Sequence, residues 1–185
     1  MIAREIPLLR RAFYFLRHGE TESNLDGTIA GTRDVALTRR GHEQARAAAA
    51  VLRDRGVTAI YSSALRRARE TADHVARSLG LAVDIIPELG ERDWGELEGK
   101  PRALRKPGVT SFGAESPDVF QERVRRGLCQ IAPSAAPLIV SHSGVFRVLC
   151  ATLQVPDPGS QLANAQTVRF APAAEGAAWT LELIR

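Results

Sequence analysis

Lysine is almost missing from this chain: of 25 basic residues, only Lys100 and Lys106 are lysines, and the rest are arginines. Arginine stays charged at any working pH and presents a planar fork of donors, so the formal net charge of +4 rests on groups suited to carboxylates and phosphates. The arginines are scattered, not gathered into a run, which argues for a small anionic partner and against nucleic acid. Cysteine is nearly missing too. Cys129 and Cys150 both fall in apolar, helix-like stretches, so two buried free thiols are expected, as in a reducing compartment. No stretch approaches the ~20 apolar residues of a membrane span. Residues 1–12 are broken by Arg4, Glu5, Pro7, Arg10 and Arg11 where a signal peptide would be apolar. No membrane partner and a cytoplasmic location are therefore expected. There is no phosphate-binding P-loop and no dinucleotide glycine fingerprint, and the zinc-protease opening His42-Glu43 fails because position 46 is Arg46.

What remains is an ordinary globular composition, 44% hydrophobic and 25% charged over 185 residues, enough for one domain covering 1–185. Short apolar runs at 13–16, 57–61, 81–86 and 137–140 read as strands. Between them, helices are marked by Ala45, Ala48, Ala49 and Leu52 after a Thr38 cap, and by Ala68, Ala72, Val75 and Leu79 after Ser62 or Ser63. Phe120, Val124, Leu128 and Ile131 mark a third helix, and Val145, Val148 and Leu149 open a fourth. His42 and His74 fall on helices among polar residues and read as surface side chains. Residues 167–170 and 179–184 read as a closing strand pair turning at Glu175-Gly176. Alternation of strand and helix with short connections predicts an α/β single-domain three-layer sandwich, a mostly parallel central sheet with helices on both faces. From 88 to 116 the breakers Gly90, Gly95, Gly99, Pro101, Pro107, Gly108 and Gly113 rule out a long regular element, and 92–116 reads as a small lid.

The first strand runs into Arg17-His18-Gly19-Glu20-Thr21, with Asn24 three residues on. Ligands of open α/β sheets sit at the carboxyl ends of strands, and an arginine beside an imidazole suits an anion. Gly19 is expected to let the chain turn sharply. Three further segments follow strands: Ser62-Ser63-Ala64-Leu65-Arg66-Arg67-Ala68-Arg69-Glu70-Thr71-Ala72, then Glu91-Arg92-Asp93-Trp94-Gly95, then Ser141-His142-Ser143-Gly144. Together these resemble, in order, the motifs of the histidine phosphatase superfamily, the phosphoglycerate mutase-like branch. The resemblance runs from about residue 13 to the end of the chain.

The resemblance implies a catalytic set of His18, Arg17, Arg67, Glu91 and His142, with Asn24 and Gly31 at the phosphate; the helix start after His142 would add a backbone donor at Ser143 or Gly144, and Arg92, Trp94 and Lys100 of the lid would meet the rest of the substrate. A neutral imidazole is a suitable nucleophile towards phosphorus, and Arg17, Arg67 and His142 would keep His18 neutral while neutralising the phosphoryl oxygens. Glu91, preferred over Glu88, would donate the proton to the leaving oxygen and then take one from water. No metal and no other cofactor is implied. Arg66 and Arg69 read as solvated neighbours of Arg67. Only fifty residues separate Glu91 from Ser141, and Ser143-Gly144 stands where the mutases have Gly-Asn. Both point to a phosphatase acting on a small phosphorylated substrate through a phosphohistidine. A phosphoglycerate mutase is the alternative enzyme, a non-catalytic phospho-ligand binder the alternative outside catalysis, and a homodimer is compatible with the sequence. Lys100, Arg102, Arg105 and Lys106 place four cations in seven residues of the lid; the bland reading is a solvated basic loop, the functional one that one or two of them fold over the substrate and grip a second anionic group.

Overall fold

The computed structural model describes residues 6–105, 113–157, 159, 162–173 and 178–185. One sheet of six strands forms its centre: β1 (Phe13–Arg17), β2 (Ala59–Ser62), β3 (Val83–Ile85), β4 (Pro137–Ser141), β5 (Thr167–Pro172) and β6 (Trp179–Ile184), in the spatial order β3-β2-β4-β1-β5-β6. β1, β2, β3 and β4 pair in parallel, β5 lies antiparallel to β1, and β6 lies antiparallel to β5. Only β5 thus runs against the rest.

Alternation along β1 divides the core. Phe13 and Phe15 join Ile139, Val168 and Phe170 on one face, while Tyr14 and Leu16 join Ile60, Leu138 and Val140 on the other. The first face is covered by α4 (Pro117–Cys129) and α5 (Ser143–Leu153) through Phe120, Val124, Phe146 and Leu149. The second is covered by α2 (Arg39–Leu52) and α3 (Arg66–Leu79) through Ala48, Leu52, Ala72 and Val75. A short α1 (Glu22–Leu25) follows β1. The three-layer α/β sandwich expected from the pattern is the fold observed.

β1 and β4 are neighbours, yet the long helix after β1 covers one face and the helix after β4 covers the other. The chain therefore parts at their carboxyl ends, and a crevice opens where open α/β sheets bind ligands.

Local details depart from the sequence reading. The third strand is shorter than 81–86, reduced to the stretch that pairs with β2. Neither Ser62 nor Ser63 caps α3. Leu65 holds that position, the Asp34 carboxylate accepts from Arg66 N at 2.5 Å, and Ser63 Oγ is drawn to His142. Cys150 is buried but Cys129 is exposed, because α4 turns Phe120, Val124, Gly127 and Leu128 inward and leaves the next residue outside. His42 and His74 are half-buried, not free at the surface, and share a 3.0 Å hydrogen bond between α2 and α3. Gly19 has no left-handed backbone; a Cβ there would stand 2.5 Å from Gly41 O, so close approach to α2 and not a turn requires glycine. The expected turn at Glu175-Gly176 lies outside the described residues. No described helix is long and apolar enough to cross a membrane.

Candidate active site

Parallel register brings the two motif histidines together. Arg17 faces Ser141, and His18 N donates to Ser141 O at 2.9 Å. The residues that follow place the His18 and His142 rings 5.2 Å apart, centroid to centroid. Ser62 faces Val140 in the next strand, which puts Ser63 Oγ 2.7 Å from His142 Nε2. The first turn of α3 then delivers Arg67.

Backbone carbonyls fix each side chain. His18 Nδ1 lies 2.7 Å from Gly19 O. A carbonyl can only accept, so Nδ1 carries the proton and a neutral ring has its lone pair on Nε2. Arg67 donates from Nη1 to Arg33 O (2.9 Å) and from Nη2 to Gly31 O (2.7 Å), while Arg17 Nη1 donates to Leu162 O (2.7 Å). Thr71 Oγ1 accepts from Gly19 N and donates to Arg67 O, tying the β1 end to α3. Asn24 Oδ1 receives Thr21 N, Thr21 Oγ1 and Asn164 Nδ2, which leaves its own amide donors for the cavity it lines. Gly31 has φ +54° and a Cβ there would overlap the Glu98 carboxylate, so a side chain is excluded beside Arg67.

Burial shapes the electrostatics. The pKa of His18 falls well below the ordinary 6.5, through desolvation first and then the positive charges of Arg67 and Arg17. His142 falls likewise, from burial, Arg67 and then His18. Burial also brings Arg17 down to about 10, still charged at neutral pH, and lowers Arg67. Among the described residues, Arg17 Nε, Arg67 Nε and His142 Nδ1 are buried without a partner. Buried donors are rarely left unpaired, so such a group calls for an external acceptor.

Arg17, His18, Asn24, Gly31, Arg67, Glu91, Trp94 and Ser143 line one cavity of ≈ 390 Å³. His142 is fully buried behind its wall. Glu91 stands at the start of α5, its Oε2 accepting from Gly144 N (3.1 Å) and Ser143 Oγ (3.4 Å), its Oε1 from Arg92 N (2.9 Å). A Cβ at Gly144 would collide with the Glu91 carboxylate, which explains glycine there. Glu88 lines neither this cavity nor its neighbour.

Three sequence-predicted binding residues lie elsewhere. Gly144 and Arg92 line an adjoining cavity, and Arg92 is engaged, Nε donating to Glu115 O at 2.8 Å with its guanidinium 4.3 Å from the Trp94 ring centre. Lys100 is exposed and lines neither cavity; its carbonyl receives Ile29 N at 2.9 Å where 99–102 is pinned to 27–29. Of the four lid cations, Arg102 and Arg105 line the cavity and Lys106 lies outside the described residues. Arg66 and Arg69 are exposed as expected.

The sequence reading missed Arg147 and Arg123. Arg147 lines both cavities and follows Ser143 by one helical turn, a spacing that shares a face. Arg123 gathers the carbonyls of Glu88, Gly90 and Glu91 (2.8–3.1 Å) and pairs with Glu115 at 2.8 Å, which positions the Glu91 segment. No pattern marks that role, since its partners are backbone atoms. Among the described residues, no group of three or more His, Cys, Asp or Glu side chains could hold a metal ion.

The profile of the histidine phosphatase superfamily (branch 1) matches residues 13–182. The chain belongs to that superfamily. It is 31% identical over 156 residues to the uncharacterized phosphatase PhoE of Bacillus subtilis (strain 168), covering 81% of each chain. It is 36% identical over 157 residues to the probable phosphoglycerate mutase GpmB of Erwinia tasmaniensis, covering 76% of this chain and 73% of that one. The mycobacterial glucosyl-3-phosphoglycerate phosphatase superposes with a TM-score of 0.75 at 27% identity, over 94% of this chain and 97% of that one. This histidine phosphatase shares its fold with the mycobacterial enzyme.

Proposed function

We propose that the protein is a metal-independent phosphomonoesterase that hydrolyses a small phosphorylated metabolite through a phosphohistidine on His18. The observation that carries this reading is the state of the His18 ring. Its Nδ1 proton is committed to Gly19 O, and burial with Arg17 and Arg67 disfavours a second proton, so Nε2 offers a lone pair to phosphorus. The dianionic phosphoryl group meets Arg17, Arg67 and the amide of Asn24, whose unpartnered donors fit equatorial oxygens. His142 adds a donor from beneath when its free nitrogen is protonated.

In the first step the Nε2–P bond forms as the ester P–O bond breaks, and the leaving alkoxide takes a proton from the Glu91 carboxyl. In the second, water forms a new O–P bond as N–P breaks, and its proton returns to Glu91. Ser143, Gly144 N and Arg92 N hold that carboxylate at the mouth of the cavity, where a leaving group would emerge.

The test is turnover of 4-nitrophenyl phosphate in EDTA, with rapid quench of 32P-labelled substrate at neutral pH. An acid-labile, base-stable label on His18 with release of inorganic phosphate is expected. Labelling without phosphate release, but with transfer to an added phosphoglycerate, would mark a mutase instead. No label and no turnover would overturn the proposal.

A further inference from the structure

One carboxylate ties the lid segment to the loop before α2. Glu98 Oε1 accepts from Thr32 N (2.7 Å), Thr32 Oγ1 (3.0 Å) and Trp94 N (3.2 Å). Three donors converging on one oxygen suit an anion better than a neutral acceptor. The Trp94 contact folds the short 3-10 turn Gly95–Leu97 back on its own start, while the Thr32 contacts reach 66 positions along the chain. Backbone pairing repeats the tie on either side. Gly99 N donates to Ile29 O at 2.7 Å, Arg102 N donates to Gly27 O at 2.8 Å, and Thr28 and Pro101 form an isolated β-bridge.

The same loop holds Arg67. Its two backbone acceptors, Gly31 O and Arg33 O, belong to the residues on either side of Thr32. Glu98 therefore grips the residue between the two carbonyls that orient the guanidinium. The fit leaves little slack: a Cβ at Gly31 would overlap the Glu98 carboxylate, and one at Gly99 would stand 2.5 Å from Arg33 Nη1. Burial lowers the pKa of Arg67, and the negative charges of Glu91, Asp34 and Glu98 oppose that shift. Glu98 itself lines neither the phosphate cavity nor its neighbour, so it can act on the reaction only through the groups it holds.

We propose that Glu98 is a positioning residue for Arg67: by fixing Thr32 it sets the Gly31 and Arg33 carbonyls, and through them the guanidinium that binds the phosphoryl group. The inference rests on the phosphatase reading for what Arg67 binds. It makes the anchorage of the lid and the aim of the phosphate site depend on one carboxylate.

Calorimetry with inorganic phosphate tests this, alongside urea unfolding of each variant. Glu98→Ala should weaken phosphate binding about 10-fold, within the range for residues of one hydrogen-bond network. Glu98→Gln keeps the shape and one acceptor oxygen, and should weaken binding only about threefold. Arg67→Lys keeps the charge but loses the fork that reaches both carbonyls. In that background either Glu98 substitution should cost less than about twofold. A merely structural tie would lower stability and leave phosphate affinity alone, or weaken binding by the same factor in both backgrounds; either result overturns the inference, as does a wild-type protein that binds no phosphate. Should Glu98→Ala fail to fold, Glu98→Gln carries the test, and wild-type affinity in that variant overturns the inference. Because binding needs no turnover, an Arg67-dependent Glu98 effect without turnover of 4-nitrophenyl phosphate would remove the phosphatase reading and leave this role standing. Turnover without the effect would remove this inference alone.

Discussion

Arg67 at the floor of the cavity is almost fully buried and donates to two backbone carbonyls, whereas Arg105 at the rim is half-buried and lies on an indole, with no hydrogen-bond acceptor for its guanidinium among the described residues. The same side chain is thus used in two ways. At the floor the guanidinium is held by carbonyls whose positions follow from the chain path around the sheet and α3, so its remaining donors are fixed in place before any ligand arrives. Such preorganisation costs no rearrangement at the moment of reaction. At the rim the described residues of the supporting segment carry only short 3-10 turns at Gly95–Leu97 and Arg102–Leu104, so its cations are held by loop and not by sheet or helix. A rigid scaffold with chemistry at strand ends and selectivity on loops is the common division of labour.

Three experiments would break or sharpen this contrast. The largest effect belongs to the floor. His18→Ala should lose at least about 10³ in kcat with every ester tested, within the ~10⁶ that a nucleophile can supply. Steady-state assays reporting a smaller loss, or a loss that varies with the alcohol, would place the chemistry elsewhere.

Next is Glu91, which stands between floor and rim. Glu91→Gln should cost an alkyl phosphate about 10²-fold or more in kcat, and 4-nitrophenyl phosphate much less, because a phenolate leaves without proton help. Equal losses on both would make Glu91 a binding residue and not a proton donor.

The smallest effect tests the burial of the floor through stability. His18 and His142 have folded pKa values below the unfolded 6.5, so the unfolded chain binds more protons. Their contribution is intact above about pH 6.5 and is lost as pH falls below it, by about 1.4 kcal/mol per pH unit for each excluded proton. Urea unfolding between pH 7 and 5 should show this slope, and His18→Asn should reduce it by about one proton. A slope unchanged in His18→Asn would mean that the ring accepts a proton in the folded state.

Much of the floor was legible because its residues are local punctuation. Arg17-His18, Arg67, Glu91 and Ser141-His142 follow short apolar runs in the order of a known superfamily's motifs, which no single strand end would have shown, and parallel pairing needs only such runs with helices between. The rim was legible in composition alone. Four clustered lid cations were visible, yet Lys100 is exposed beyond both cavities while Arg102 lines one and Arg105 both, and nothing in the spacing of breaker residues ranks them. The cap of α3 failed for a related reason: Ser63 fits the cap rule, but its hydroxyl goes to His142, 79 positions away.

By itself the sequence determined the alternation of strands and helices, since apolar period is a property of the chain, and the order of its motifs marked His18, Arg17, Arg67 and Glu91 as one candidate constellation through their resemblance to a known superfamily. Only the tertiary structure decided which nitrogen of His18 is bare, that Arg123 positions the Glu91 segment, that Arg147 joins the cavity and that Arg105 makes no direct ion pair among the described residues. Each of these depends on what a side chain meets across the fold. Hydrogen bonds to distant backbone carbonyls and the sharing of a cavity wall leave no periodic trace in sequence, because the partners are fixed by packing and not by neighbourhood along the chain.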